Sequence, residues 1–140
     1  MKIVLDSNEF IFAFMDLAEV QLKLFALLDD SSFEISIPSL IFDEVFERMK
    51  ELTDKDFASK VRETILSSKI EIVEITKVPK KLVEKYTKKG LKDADAAIAA
   101  FTEWKRADFL ISENRHFIKE LKTDKFTALN AEDFIGKILK

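Results

Sequence analysis

The chain contains no cysteine, one histidine, two glycines, two prolines, one tryptophan and one tyrosine among its 140 residues. Without cysteine there is no disulfide and no thiolate metal site, which fits a reducing cytoplasm. A single histidine argues against an all-protein zinc site and against a histidine-based triad. Any metal held here would be a hard ion bound through oxygen. No apolar run approaches the roughly 18 residues that a membrane span needs. Acids at positions 6 and 9 break any signal-peptide pattern. Scarce glycine and proline imply short loops and a helix-rich chain. The net charge of −3 argues against strong non-specific nucleic-acid affinity from charge alone, while leaving room for a local basic groove.

What is present is apolar. Hydrophobic residues make up 47% of the chain and 13 of them are phenylalanine, ample for one core in a single domain spanning 1–140. Short apolar runs bounded by breakers at 2–6, 33–37, 70–75, 108–112 and 125–129 predict strands. Helical spacing fills 9–29, 39–51, 54–68, 79–89, 93–106, 114–122 and 131–139. Strands alternating with helices predict right-handed crossovers and a three-layer α/β/α sandwich around a parallel sheet of about five strands. Ligands in such folds bind beyond the carboxyl ends of the strands, where the strand order reverses.

Asp6 stands at that kind of position, at the end of "KIVLD". In "IPSLIFDEVFERM", Ser39 is the expected helix cap, and Ile41, Phe42, Val45, Phe46 and Met49 share one face. Asp43 and Glu44 flank that face, so periodicity alone does not choose between them; Arg48 lies four residues beyond Glu44, within pairing distance on a helix. In "GLKDADAAIAAF", Gly90 closes one helix and Asp93 is a natural cap for the next. Asp95 falls in its first turn, and the alanines let this helix pack close to the sheet. In "DFLISENRHF", Ser112, Glu113, Asn114 and Arg115 follow a strand onto the same rim. Each feature has an ordinary explanation: caps, helix-dipole complementation, solvated flanks or polar turns. Carboxylates brought together repel, however, and Mg²⁺ or Mn²⁺ relieves that repulsion while activating water and stabilising charge on a phosphodiester.

These residues, in this order, resemble the PIN-domain family, which includes the VapC-type toxins. The resemblance runs from "VLDSN" through "IPSLIFDEV", "DADAAIAAF" and "ADFLISENRHF" to "FTALNAEDFIGKIL", nearly the whole chain. It implies Asp6, Glu44 and Asp95 as the acids that hold the metal, with Asp93 as an accessory acid. It places Ser112 at the family's hydroxyl position and Asn114 where an aspartate usually stands. Asn114 can orient water but brings no charge, which bears on whether one metal ion or two would bind. Glu113 is the adjacent acid, and Ser7 sits beside Asp6.

The expected activity is Mg²⁺- or Mn²⁺-dependent endoribonucleolytic hydrolysis. Asp6, Glu44, Asp95 and Asn114 are its expected catalytic residues, and Arg48 and Arg115, with Arg106 and Lys92, are candidate phosphate contacts. His116 is expected to be a surface or helix-start residue. The resemblance further implies an RNA substrate, a homodimer, a cytoplasmic location and, for a toxin, an antitoxin partner. The rival expectation is a non-catalytic PIN-fold module that binds RNA or protein. A phosphoryl-transfer enzyme with Asp6 as nucleophile fits less well: Asn8 stands where a haloacid-dehalogenase pattern needs aspartate, and no acidic pair of the receiver type follows the first strand.

Overall fold

Ile3, Val4 and Leu5 form an unbroken apolar run with neither helical spacing nor alternation, as a strand covered on both faces should. In the computed structural model, which describes residues 1–140, this run is the middle of the sheet. Strands β1 (Lys2–Leu5), β2 (Glu34–Pro38), β3 (Glu71–Val73), β4 (Phe109–Ile111) and β5 (Thr127–Leu129) pair in parallel in the order β3-β2-β1-β4-β5. The expected α/β/α sandwich with five parallel strands is therefore the fold observed.

Seven helices cover the sheet: α1 (Ser7–Met15), α2 (Glu19–Leu28), α3 (Ser39–Leu52), α4 (Lys55–Leu66), α5 (Lys80–Lys88), α6 (Asp93–Trp104) and α7 (Ala131–Ile138). Helices α1 to α4 and α7 form one packed group, while α5, α6 and a short π turn, His116–Glu120, form the other. Right-handed crossovers account for the split. The chain moves outward from β1 to β3 under the first group, then returns past β1 to β4 under the second. The order thus reverses between β1 and β4. One contiguous core of 33 buried residues unites the layers. Trp104 ends α6 with its ring centroid 6.2 Å from that of Phe101.

Helices α5 and α6 leave part of their face bare. Lys2, Glu34, Ser36, Glu71 and Lys105 line a hollow of about 500 Å³ beside the amino ends of β1 to β3. There the Glu71 carboxylate accepts hydrogen bonds from Ser36 Oγ (3.0 Å) and Lys105 Nζ (2.6 Å).

Four local expectations need correction. The helical stretch 9–29 is two helices, because Leu17 adopts φ 48° and turns the chain between them. Ser39 does not cap α3; Pro38 is the cap residue, and Ser39 Oγ instead accepts a hydrogen bond from the Ile75 N–H (3.0 Å). Asp93 is the first residue of α6 and not its cap, which is Lys92. The stretch 114–122 holds only the π turn, since the Asn114 side chain bonds the following backbone. Gly90, at φ 104°, does close α5 as expected.

Candidate functional site

Asp6 leaves β1 in extended conformation and caps α1. Its N–H donates to Ile111 O on β4 (2.9 Å), so the residue is pinned where the strand order reverses. Asp6 Oδ1 accepts from the Ser7 N–H (2.8 Å), and Oδ2 accepts from Ser112 Oγ (2.5 Å). The residue is only 5% exposed. Burial pushes its pKa up to about 6, against the pull of its Ser112 and Ser7 hydrogen bonds, and Glu44 and Asp95 add to the rise by repulsion.

Glu44 comes from the α3 face next to α1, and its Oε1 accepts a hydrogen bond from Ser7 Oγ. That contact settles what periodicity left open: Glu44 joins the group, while Asp43 is exposed and makes no side-chain bond. Asp95 lies in the first turn of α6, where buried Ala96, Ala99 and Ala100 allow close approach to the core. Its Oδ1 accepts from Asn114 Nδ2 (3.3 Å). The turn after β4 is fixed by its own polar groups, because the Asn114 N–H donates to Ser112 Oγ (3.0 Å) and the His116 N–H to Asn114 Oδ1 (3.0 Å). A continuous hydrogen-bonded path therefore runs Glu44, Ser7, Asp6, Ser112, Asn114, Asp95, drawing on residues just beyond β1 and β4 and on α1, α3 and α6.

Several other expected residues lie apart from this path. Asp93 is exposed and unbonded. Arg48 pairs with Glu51 (3.3 Å) and not with Glu44. Arg106 lines a hollow with Asp108 and Asp124 at the amino end of β4, the far end of the sheet, so it is no neighbour of the crevice. Arg115 and Lys92 are exposed on the rim side. His116 is a surface residue paired with Glu120 (2.9 Å). Glu113 turns away from Asp95, its Oε2 accepting the Ala131 N–H at the start of α7 (3.1 Å).

One buried acid gave no sign of itself in the sequence. Glu9 is wholly buried; its Oε1 accepts from Gln21 Nε2 (3.1 Å), and its Oε2 finds no donor. Burial drives its pKa up to about 9, and the facing Glu113 carboxyl reinforces the shift. A proton on Glu9 gives Oε2 a partner, since the acid can then donate toward Glu113. The sequence pattern around it is misleading. An acid three residues after a cap suggests a capping box, but the Asp6 N–H is already bonded to Ile111, so the Glu9 side chain turns inward.

The donor set suits a hard divalent cation: three carboxylates with serine and asparagine oxygens nearby. None of Asp6, Glu44, Asp93 or Asp95 forms an ion pair with a cationic side chain. As the side chains stand, no three acids are gathered tightly enough to form a coordination group. The chemistry of the donors fits a metal, and their present spacing is wider than a coordination shell.

No family model matches the sequence, and no curated protein matches it significantly. Solved structures do. The chain is similar to one in VapBC2 from Rickettsia felis bound to a promoter DNA fragment, with TM-score 0.72 and 20% identity over 93% of this chain and 98% of that one. It is similar to one in VapBC-1 from nontypeable Haemophilus influenzae, with TM-score 0.69 and 14% identity over 94% and 99%. It is also similar to VapC20 of Mycobacterium tuberculosis, a toxin that cleaves the sarcin-ricin loop, with TM-score 0.59 and 12% identity over 77% and 86%. Likeness at such identities speaks for architecture, and the chain has the PIN-like α/β/α fold of these VapC structures.

Proposed function

We propose that this chain is a Mg²⁺- or Mn²⁺-dependent endoribonuclease. The supporting observation is the hydrogen-bonded path that ties Glu44, Asp6 and Asp95 together at the strand-order reversal. Asp6, Glu44 and Asp95 would hold the ion, with Asp93 as an accessory acid. When bound, a divalent ion activates water and offsets charge on a phosphodiester. Ser112 and Ser7 fix the Asp6 carboxyl through both of its oxygens, and Asn114 orients Asp95. Small polar residues thus do the positioning, and the ionisable groups are left to the ion. The VapBC structures are toxin–antitoxin pairs, which supports a protein antitoxin as partner; a homodimer in the cytoplasm completes this reading.

The spacing of the acids favours one rival, a PIN-fold module that binds RNA or protein without cutting it. Two measurements separate the readings. Millimolar Mn²⁺ should raise the melting temperature of the wild type, because a ligand that binds only the native state stabilises it, and Asp6→Asn should largely abolish the rise. The wild type should also cleave a structured RNA panel with Mn²⁺ but not with EDTA, and Asp6→Asn should lose at least 100-fold in rate. Equal cleavage by both proteins removes the catalytic assignment; no thermal shift favours the module.

A further inference from the structure

Residues 77–92, "KVPKKLVEKYTKKGLK", carry seven lysines against one glutamate in a chain whose total charge is −3. The remainder of the molecule is correspondingly more acidic. The stretch comprises the end of a 3-10 turn at Ile75–Lys77, helix α5 and the loop into α6. Lys81, Lys85 and Lys88 follow i, i+4, i+7 spacing and line one shallow groove with Glu84. Lys77 precedes the helix and Lys92 follows it in sequence, so a further lysine stands on either side of the row. Lys85 is engaged by Glu103 (2.6 Å), and Lys89 Nζ donates to Lys122 O (3.0 Å). Lys77, Lys80, Lys81, Lys88 and Lys92 are all exposed and form no ion pair.

The row leads somewhere. Helix α5 packs on α6, and Lys92 is the residue that caps α6, one turn before Asp95. A polyanion approaching Asp6, Glu44, Asp93 and Asp95 meets like charge, so its approach requires cations beside the site. The row supplies them along one approach. It supplies nothing else: the single aromatic of the stretch, Tyr86, is wholly buried, with its hydroxyl bonded to Glu103 (2.7 Å). A surface for single strands needs exposed rings on which bases stack. Lysine point charges without such rings suit the regular phosphate ridge of a duplex, read by shape and not by sequence.

We propose that the lysine row of α5 docks the stem of a structured RNA and so presents the adjoining unpaired nucleotides to the acidic site. The idea deepens the nuclease reading and rests on it for RNA as the ligand, but binding can be read without cleavage. The test is fluorescence anisotropy in EDTA with a labelled RNA hairpin and an unstructured single strand of equal length. Wild type is compared with the triple variant Lys77→Gln, Lys81→Gln, Lys88→Gln, none of which belongs to the acidic site, after matched melting curves establish folding.

The wild type should bind the hairpin at least tenfold more tightly than the single strand. The triple variant should lose at least tenfold in hairpin affinity at low salt. Its slope of log affinity against log salt should become shallower by about 2, since every phosphate that the protein ceases to neutralise takes about 0.7–0.9 from the slope. Three results overturn the proposal: an unchanged slope in the variant, equal binding of hairpin and single strand, or no RNA binding by the wild type. If Mn²⁺-dependent cleavage persists alongside an unchanged slope, the docking row falls and the nuclease reading stands. If the slope changes as expected but no RNA is cut, the row stands and the molecule is a binding module.

Discussion

At the scale of single residues, the centre of this protein is a set of acids held by hydroxyls and amides. Glu9 is the extreme case, because it is buried without any cation and its pKa lies near 9 and not at the ordinary 4.5. The folded chain thus keeps a proton that the unfolded chain gives up. The stability that follows is complete below pH 4.5, declines as pH rises, and is gone once pH passes about 9. Asp6, raised to about 6, acts with the same sign over a narrower window. Glu9→Gln keeps the shape and the capacity to donate toward Glu113 without the titration. Its urea-unfolding free energy should fall less between pH 5 and 9 than that of the wild type, making the variant relatively more stable at the alkaline end. Parallel curves for the two proteins would reject the protonated-Glu9 account. No periodicity reveals such a residue: Glu9 reads as an ordinary first-turn acid, and only the prior engagement of the Asp6 N–H by β4 sends it inward. Asp6, Glu44 and Asp95 were legible as candidates because strand exits and helix starts are marked by their neighbours. The hydrogen bonds that link them were not, since they join residues as far as 106 positions apart.

At the scale of elements, the sequence revealed the strands and most helices, and its misjudgements have a common source. Where a polar side chain or an unusual backbone angle interrupts a pattern, apolar spacing carries on regardless. Phe10, Phe14 and Leu17 keep helical spacing across the point where α1 ends. Glycine or asparagine ordinarily marks such a turn, and here a leucine that is 68% exposed occupies it at φ 48°. A branched residue pays about 1 kcal/mol or more for this conformation. Leu17→Gly removes that strain with no loss of packing, partly offset by greater freedom in the unfolded chain. The substitution should therefore raise stability by up to about 1 kcal/mol, read as the urea midpoint at constant m-value. A lower midpoint would mean that Leu17 packs in a way its exposure does not suggest.

At the scale of the whole molecule, the sheet has two unlike ends. The carboxyl ends of its strands face the acids, while the amino ends border the hollow lined by Ser36, Glu71 and Lys105. The parallel arrangement enforces this separation, because every strand delivers its following loop to the same side. Ser36→Val should fill part of the hollow, suit a central strand better and cost only a half-exposed hydrogen bond to Glu71. A rise of about 2–4 °C in melting temperature is expected, for roughly 1 kcal/mol in a chain of this size, with any Mn²⁺-dependent RNA cleavage unchanged. A loss of cleavage would mean that the two ends communicate. Helix α6 spans this same axis, with Asp95 near its head and the chain's one indole, Trp104, at its tail. Excited near 295 nm, the protein therefore emits from a single place, and that emission reports on the helix carrying the third acid, free of interference from any other fluorophore.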